Sequence, residues 1–492
     1  MAIDKLNLKT GDLVTEECFK IIDDNFAELS LDNNIYVERL WRNEYTSEVY
    51  SSPIVTILSS GKVVIAIQGW DWFTRLIDFE TGEEIWNRAF SDVCYGSPIC
   101  GDINGDGKIE FIFSSHSGEI RCYTEDGDLL WEQYDEYTRN GEGTVSVYDN
   151  TNMTIVDNSK TFANGLFIRN KNVPTENPYI EITDGTGEGQ SVRIKDIENN
   201  IIYLAEAFTT PLDATSKYII NPLYESDKIF QHAGTLNEEN GKWYLYITGF
   251  DFCCRKIDCL TGDIIWIIST KESIEPYPHI MENWKGDNKD KICFVSVDWG
   301  IYCADCETGA LEWHIETEAG NDAFLNELKL STGEIVLVVS SRDSRVYLVK
   351  NDGNIHNKTT QTNADIDSRP VVGDFNNDGK LEFAYGGDSG WVYCCDENCE
   401  TLWRHNIGTY INSSSNKADV NYDGNDEILV NDMNGTISIL DAMNGRLLHE
   451  LNCHGAVEGT PTIGDFDNDS NIEMVVTTLN NYLEVYRFKN NN

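Results

Sequence analysis

The chain has 492 residues, of which 83 are acidic and 37 are basic, so its formal net charge is −46. A surface this acidic repels phosphates, which excludes general nucleic-acid binding and docking on anionic lipid. No run of about 18 apolar residues occurs, and the N-terminus lacks the apolar core of a signal peptide, so we expect neither a membrane span nor signal-directed secretion.

Residues 1–35 form the first predicted piece, a short helix preceded by a polar start. Thr15 is a suitable N-cap for this helix, with acidic residues in the first turn. The apolar residues that follow at helical spacing are Phe19, Ile22, Phe26 and Leu29. An apolar stripe of this kind needs a partner, either the larger domain of the same chain or other subunits of an assembly.

After residue 35, one local phrase returns about every 45 residues. Its clearest copy, LIDFETGEEIW at 76–86, has the pattern of a strand, a tight Thr-Gly turn and a second strand that carries an aromatic residue. The phrase ends in tryptophan or a counterpart at Trp41, Trp86, Trp131, Trp266, Trp313, Asn357, Trp403 and His449. Four strand-like runs per period of this size predict an all-β protein with an eight-bladed β-propeller.

The two ends of the repeat series are incomplete in complementary ways. Trp41 has no full repeat before it, whereas residues 453–488 supply three strands and then stop. We therefore predict that residues 36–44 form the outer strand of the last blade and close the ring. The propeller is predicted at 36–139, with the closing strand and blades 1 and 2, and at 225–488, with blades 3 to 8.

One interval between successive copies is 135 residues long, which leaves about 90 residues beyond one repeat. The extra residues, 140–224, contain alternating Val, Ile and Thr, a Gly-rich turn at 184–190 and no tryptophan. They predict a small inserted β-domain that is separate from the propeller.

An acidic loop occurs four times in phase with the repeat. Each copy places side-chain oxygens at positions 1, 3, 5 and 9, and position 7 offers its backbone carbonyl. Hard oxygen ligands at this spacing favour Ca²⁺, although solvated acidic turns without metal are the alternative. The predicted ligands are Asp102, Asn104, Asp106, Lys108 and Glu110; Asp374, Asn376, Asp378, Lys380 and Glu382; Asp419, Asn421, Asp423, Asn425 and Glu427; and Asp465, Asp467, Asp469, Asn471 and Glu473.

These loops resemble the FG-GAP calcium loops of integrin-α-like propellers, and the Thr-Gly and Trp phrases resemble the repeats of quinoprotein-like propellers. The resemblance covers most of residues 36–488. It implies the propeller fold and calcium ions that brace the first two strands of a blade. It does not imply quinone chemistry, because we identify no central constellation for such a cofactor.

Candidate catalytic residues are not apparent in the sequence. The motifs GxSxG, HExxH and GxxxxGK[ST] are absent, and the eight histidines are scattered. Aromatic residues near the predicted loops suit either sugar stacking or packing between blades. They are Trp70, Trp72, Tyr95, Trp284, Trp299 and Trp391.

The opening LNLKTGDLVTEECFKIIDDNFAEL resembles N-terminal segments of bacteriophage tail and other virion structural proteins. The segments GTGEGQSVRI at 185–194 and PLDATSKYII at 211–220 look like a small β-domain of phage structural proteins. Together these matches cover about a fifth of the chain. They imply a virion protein of the tail, fibre or baseplate, made in the host cytoplasm and anchored to other virion proteins through residues 1–35.

The sequence therefore favours a homo-oligomeric binding protein over an enzyme. Its expected partner is a host-surface glycan or protein, bound through a calcium-braced propeller, with no nucleic acid and no membrane insertion. A calcium-dependent polysaccharide lyase or hydrolase acting on the same surface is the alternative, and a cytosolic or cell-surface scaffold is a further one.

Overall fold

The computed structural model describes residues 35–134, 141–160, 177–221, 234–321, 324–362, 364–411 and 414–489. These residues form strands, turns and loops, and they include no helix that could cross a membrane. The predicted N-terminal helix, with its four apolar residues, lies outside the described residues.

Eight four-stranded antiparallel sheets confirm the predicted all-β, eight-bladed propeller. Strands are numbered in chain order, and neighbouring strands pair within each blade. Blade 1 contains β2 (Ile54–Ile57), β3 (Val63–Gln68), β4 (Phe73–Asp78) and β5 (Glu84–Ala89). Blade 2 contains β6 (Ile99–Gly101), β7 (Glu110–Ser114), β8 (Ile120–Tyr123) and β9 (Leu129–Gln133). Blade 3 contains β17 (Thr235–Glu239), β18 (Lys242–Thr248), β19 (Cys253–Asp258) and β20 (Ile264–Ser269). Blade 4 contains β21 (His279–Met281), β22 (Lys291–Val295), β23 (Gly300–Asp305) and β24 (Leu311–Glu316).

Blade 5 contains β25 (Asn326–Lys329), β26 (Ile335–Ser341), β27 (Arg345–Val349) and β28 (Ile355–Lys358). Blade 6 contains β29 (Val371–Gly373), β30 (Glu382–Gly386), β31 (Trp391–Cys395) and β32 (Thr401–Asn406). Blade 7 contains β33 (Asn416–Ala418), β34 (Glu427–Asn431), β35 (Thr436–Asp441) and β36 (Leu447–Asn452). Blade 8 contains β37 (Thr462–Gly464), β38 (Ile472–Thr477), β39 (Tyr482–Phe488) and β1 (Val37–Glu44).

Blade 8 combines the first and the last strands of the described chain. β1 pairs antiparallel with β39, so that Val37 lies opposite Phe488 and Glu44 lies opposite Tyr482. Ile35 and Val37 are buried in the same apolar cluster as Phe488. The predicted closing strand is therefore confirmed, and it covers the edge that β39 would otherwise expose.

The strands between blades 2 and 3 form a seven-stranded sheet in the order β10-β16-β13-β14-β15-β12-β11. Val145 donates its backbone N–H to Ser216, and the next residue, Ser146, donates to Val156. Val145 and Ser146 thus bond to segments near opposite ends of the sheet. The sheet therefore closes into a small barrel around its own apolar core. The strands are β10 (Glu142–Thr144), β11 (Val147–Asp149), β12 (Thr154–Val156), β13 (Tyr179–Asp184), β14 (Ser191–Glu198), β15 (Ile201–Leu204) and β16 (Lys217–Asn221).

The apolar core of the propeller lies between blades. Within the described residues, one cluster of buried apolar side chains occupies each of the eight blade interfaces. For example, Val64 and Leu76 of blade 1 pack with Phe111 and Phe113 of blade 2. Each blade is therefore stabilised by its two neighbours, which is why the ring must be complete.

The repeat tryptophans connect each blade to the next one. The indole N–H of Trp131 donates to the carbonyl of Cys259 at 2.6 Å, and its ring lies over Gly262. Gly262 has φ 75°, and a Cβ atom there would lie only 2.8 Å from the indole. The other pairs with both contacts are Trp41 with Gly82, Trp86 with Gly127, Trp266 with Gly309, Trp313 with Gly353 and Trp403 with Gly445.

The two blades without a repeat tryptophan, blades 5 and 7, face neighbouring blades that lack the matching glycine. Asn357 of blade 5 faces a turn of blade 6 in which Cys399 adopts φ 61° at the glycine position. His449 of blade 7 faces blade 8, where the two chain ends replace the turn. Tryptophan and glycine therefore occur together, because an indole fits only above a turn that has no Cβ atom.

This contact predicts different costs for two glycine-to-alanine substitutions. Gly445 and Gly61 both have positive φ, but a Cβ atom at Gly445 would lie 2.3 Å from Trp403, whereas at Gly61 it would meet nothing within 4 Å. We expect Gly61→Ala to cost about 1 kcal/mol of unfolding free energy, the cost of the backbone conformation. Gly445→Ala should cost about 1–3 kcal/mol more, because the indole must shift. Equal losses in denaturant unfolding would contradict this role of Trp403.

Candidate functional site

The antiparallel blades give the ring two different faces. The turns between the first and second strands and between the third and fourth strands lie on one face, which we call the acidic-loop face. The turns between the second and third strands, and the connections between blades, lie on the opposite face, which we call the mouth face. The predicted metal ligands lie on the acidic-loop face, whereas the aromatic residues named from the sequence, except Trp284, lie on the mouth face.

The acidic loops join the first two strands of blades 2, 6, 7 and 8. In blade 2, the carboxylate of Asp102 accepts backbone N–H groups from Gly105 at 2.7 Å and from Gly107 at 2.9 Å. The amide oxygen of Asn104 accepts the N–H of Asp106 at 2.8 Å. These bonds fold the loop around its side-chain oxygens. The corresponding acceptors in the other loops are Asp374 and Asn376, Asp419 and Asn421, and Asp465 and Asp467.

The glutamate at position 9 holds the base of its loop. Buried Glu110 accepts the backbone N–H of Ile103 at 3.1 Å and the amide of Asn104 at 3.0 Å, and Glu382 and Glu427 accept the same pair of groups. Burial, and then repulsion by Asp106 and Asp102, raise the pKa of Glu110. The same causes raise the pKa of Glu427 to about 8.

The donor set of these loops fits a hard cation. Asp102, Asn104 and Asp106 present carboxylate and amide oxygens within one short turn, and Lys108 adds a backbone carbonyl. After burial, repulsion by Asp106 and Asp102 contributes to the raised pKa of Glu110, so the carboxylates of the loop repel one another. A bound cation would offset that repulsion. The residues present therefore fit Ca²⁺, with the aspartates as ligands and the glutamate as their support.

The loop of blade 8 has a cationic side chain of its own. Arg487 donates to Glu473 at 2.8 Å and to Asp467 at 2.5 Å, and it lies 3.3 Å from Asp469. Oxygen atoms of Asp465, Asp467 and Glu473 lie within 4.8 Å of one another. Ser470 adopts φ 70° where the other loops have glycine. This loop is thus partly neutralised before any metal binds.

Blade 4 has a lysine where four other blades have the loop glutamate. Lys291 begins β22 and lies opposite Met281, just as Glu110 begins β7 opposite Gly101. The Lys291 side chain is 1% exposed, and its ammonium group lies 2.9 Å from Glu312 and 3.2 Å from Asp305. Sequence analysis missed this site because residues 283–290 do not repeat the acidic pattern. The register of the following strand identifies it.

The mouth face contains a cavity of about 720 Å³ on the ring axis. All eight blades contribute lining residues, mostly from the connections that lead into their innermost strands. Concave sites of this size with aromatic walls and few polar groups are typical ligand pockets. Sequence analysis did not predict this cavity.

One wall of the cavity is aromatic. Tyr50 stacks on Trp70 at 4.8 Å and on Tyr95 at 4.9 Å between ring centroids. The Tyr95 hydroxyl donates to Glu458 at 3.0 Å. Trp70 and Tyr95 were flagged in the sequence, whereas Tyr50 was missed because no repeat motif marks it.

The other flagged aromatic residues have different environments. Trp284 is buried, donates to the carbonyl of Ile335 and lies 6.2 Å from Trp313, so it packs within the fold. Trp391 begins β31 and lies beneath the guanidinium of Arg404. Trp72 and Trp299 lie exposed on turns of the mouth face.

The opposite wall is charged. Arg342 donates to Asp367 at 3.3 Å, and Glu275 lies close to both. Burial raises the pKa of Glu275, while the charge of Arg342 opposes this effect. Burial and repulsion by Asp367 and Asp365 raise the pKa of the neighbouring Asp388 to about 6. The cavity therefore offers hydrogen-bond donors and acceptors beside aromatic rings.

The structure shows no disulfide among the thirteen described cysteines, and Cys100 is the one of them that is not fully buried. Cys100 lines the cavity, and burial raises the pKa of its thiol to about 11. It is therefore protonated at neutral pH and is a weak nucleophile.

No protein-family model matches the sequence, and no curated protein matches it either. The fold is similar to solved propellers at low sequence identity. BamB from Moraxella catarrhalis has 11% identity and a TM-score of 0.54, over 92% of this chain and 100% of that chain. Sqt1 from Saccharomyces cerevisiae has 10% identity and a TM-score of 0.56, over 92% and 99%. The computationally designed Ika8 protein has 10% identity and a TM-score of 0.53, over 92% and 99%. At these identities the similarity concerns the fold alone.

The buried lysine of blade 4 gives a pH-dependent prediction. Burial raises the pKa of Asp305 and Glu312, but their hydrogen bonds, including those from Lys291, lower the pKa of both below its ordinary value. Their stabilisation is therefore present above the unfolded pKa of about 4 and is lost as the pH falls through the folded values. We expect Lys291→Met to cost about 3–5 kcal/mol at neutral pH, and less in acid.

Denaturant unfolding at pH 7 and at about pH 2, below the ordinary pKa of both carboxyl groups, measures this difference. The control is Lys289→Met, because Lys289 is half exposed and makes longer ion pairs with Asp305 and Glu307. It should cost at most about 1 kcal/mol at either pH. A cost for Lys291→Met that does not change with pH would exclude the ion-pair explanation.

Proposed function

We propose that this protein binds a ligand through the mouth face of its propeller and that it acts as a binding module rather than an enzyme. The axial cavity, with its stacked aromatic wall and its opposing charged wall, is the observation that supports this proposal. Fold similarity at these identities does not indicate function, so the chemistry of this cavity is the basis of the proposal.

The chemistry of the cavity favours a host-surface glycan over an anionic ligand. The net charge of −46 repels polyanions, and the cavity adds the carboxyl groups of Glu275, Asp367 and Glu458. A neutral sugar stacks its apolar face on an aromatic ring while its hydroxyl groups bond to carboxylates and tyrosines. A host-surface protein would use the same face.

We further propose that Ca²⁺ braces the opposite face through the acidic loops. Calcium would hold the first two strands of blades 2, 6, 7 and 8 together and neutralise their aspartates. The binding face would then depend on metal only through the stability of the ring, because the loops and the mouth lie on opposite faces.

A role as a bacteriophage virion protein of the tail, fibre or baseplate fits this arrangement. The carbonyl of Tyr36 accepts the backbone N–H of Lys489, next to the acidic loop of blade 8. Tyr36 and Lys489 therefore lie on the face opposite the mouth. Anchoring through residues 1–35, at Phe19, Ile22, Phe26 and Leu29, would direct the cavity outward. Detection of the protein in purified virions tests this role.

The first prediction concerns the aromatic wall. Trp70→Ala should weaken glycan binding about ten-fold or more, because it removes an exposed ring next to Tyr50 and Tyr95. The control is Tyr36→Ala, which removes an exposed aromatic ring on the opposite face. Calorimetric titration with cellohexaose, maltohexaose, mannohexaose and chitohexaose measures both variants.

Equal binding by wild type and both variants would exclude this wall as the binding site. The same samples should show no new reducing ends. Their appearance would favour the alternative, a polysaccharide hydrolase or lyase.

The second prediction concerns metal. Asp106→Ala and Asp378→Ala should each remove one calcium ion in native mass spectrometry, and chelation should lower the melting temperature of the wild type. The control is Asp126→Ala, which removes an exposed acid from another turn of blade 2. The loop of blade 8 should bind calcium most weakly, because Arg487 already bonds to its acids. Absence of bound calcium at millimolar concentration would refute this brace.

A further inference from the structure

The turns between the second and third strands of the eight blades share one conformation. Each contains a residue with positive φ one or two positions before the third strand. In seven blades the carbonyl of this residue accepts a backbone N–H from the end of the outer strand or the residues that follow it, at 2.7 to 3.0 Å. These positive-φ residues are Trp72, Gly118, Phe252, Trp299, Ser344, Gly390, Gly435 and Asn481.

The turns with tryptophan are held rigidly. In blade 1, Asp71 accepts the guanidinium of Arg75, and the carbonyl of Trp72 accepts the N–H of Phe90 at 2.8 Å. In blade 4, Asp298 accepts the hydroxyl of Tyr302 at 2.6 Å. Both indoles are thus presented from turns that do not need to be ordered when a ligand binds.

Stability does not explain tryptophan at these positions. Trp72 has φ 71° and Trp299 has φ 74°, a conformation that costs a residue with a Cβ atom about 1–2 kcal/mol and that glycine adopts freely. The two residues are 53% and 52% exposed, so burial of the remaining area does little more than offset this cost. Phe252 has the same conformation but is 7% exposed, so packing accounts for its size.

We infer that Trp72 and Trp299 are two sugar-stacking platforms on the mouth face, each for an uncharged pyranose ring. This inference deepens the proposed glycan binding and rests on it. The platforms lie on blades 1 and 4, outside the axial cavity, so they would contact residues of a glycan that extend beyond it. Trp72 follows Trp70 by two positions, and the ring of Trp70 stacks on the cavity residue Tyr50.

The flat indole and the acidic surroundings together favour a neutral pyranose as the ligand. Each platform follows an aspartate, and Glu48 and Glu316 belong to the same two blade ends. This charge repels acidic sugars, whereas a neutral pyranose can place its C–H face on the ring. A cationic protein partner would also suit this charge, and the experiment separates the two.

The experiment compares Trp72→Gly, Trp299→Gly and the double variant with Ser344→Gly, which changes the same turn position in blade 5. Titration with the four neutral hexaoses should show about ten-fold weaker binding for each single tryptophan variant and about a hundred-fold for the double variant. Ser344→Gly should bind as the wild type does. The melting temperature of the tryptophan variants should stay within about 2 °C of the wild type.

Phe252→Gly provides the contrast, because it should lower the melting temperature clearly. A comparable loss for Trp72→Gly or Trp299→Gly would overturn the inference, since the indoles would then be structural. Wild-type binding that the double variant retains would overturn it as well, while leaving the proposed glycan binding intact. A wild-type protein that binds none of the four hexaoses would refute the proposed glycan binding and this inference together.

Discussion

The contact between a tryptophan of one blade and a glycine of the next is the interaction on which the rest of the structure depends. Each indole N–H bonds to a carbonyl in the neighbouring turn, and each ring occupies the space that a Cβ atom would need. Six of the eight blade interfaces use this contact, including the one at which Trp41 connects blade 8 to blade 1. The ring, its axial cavity and its two faces exist only because these contacts fix the order and tilt of the blades.

The same contact explains why so much of the fold could be predicted from the sequence. Glycine and tryptophan recur at fixed spacing because six of the eight interfaces need both partners, so the period counts the blades. The closing strand could be predicted because Trp41 belongs to that series. The cavity could not, because Tyr50, Glu275 and Asp367 come from connections that share no motif. Lys291 was missed because only strand register reveals its equivalence to Glu110.

At one structural position of the acidic-loop face, the blades balance the buried charge in three different ways. Blades 2, 6 and 7 bury a glutamate that accepts an asparagine amide and a backbone N–H. Blade 8 replaces the asparagine with Asp467 and adds Arg487. Blade 4 replaces the glutamate itself with Lys291. The sequence predicts the acids of this face as metal ligands, but their division into loop supports and free oxygens depends on hydrogen bonds that spacing alone does not define.

The buried thiols limit the time for which the folded protein resists oxidation by air. Twelve of the thirteen described cysteines are fully buried, and burial keeps most of them protonated, so oxidants meet few thiolates while the ring is closed. Any opening of a blade interface would expose adjacent pairs such as Cys253 and Cys254 to oxidation, which becomes irreversible beyond the first step. Each opening could therefore lead to irreversible oxidation of a cysteine. The tightness of the tryptophan contacts would then determine chemical lifetime as well as thermodynamic stability.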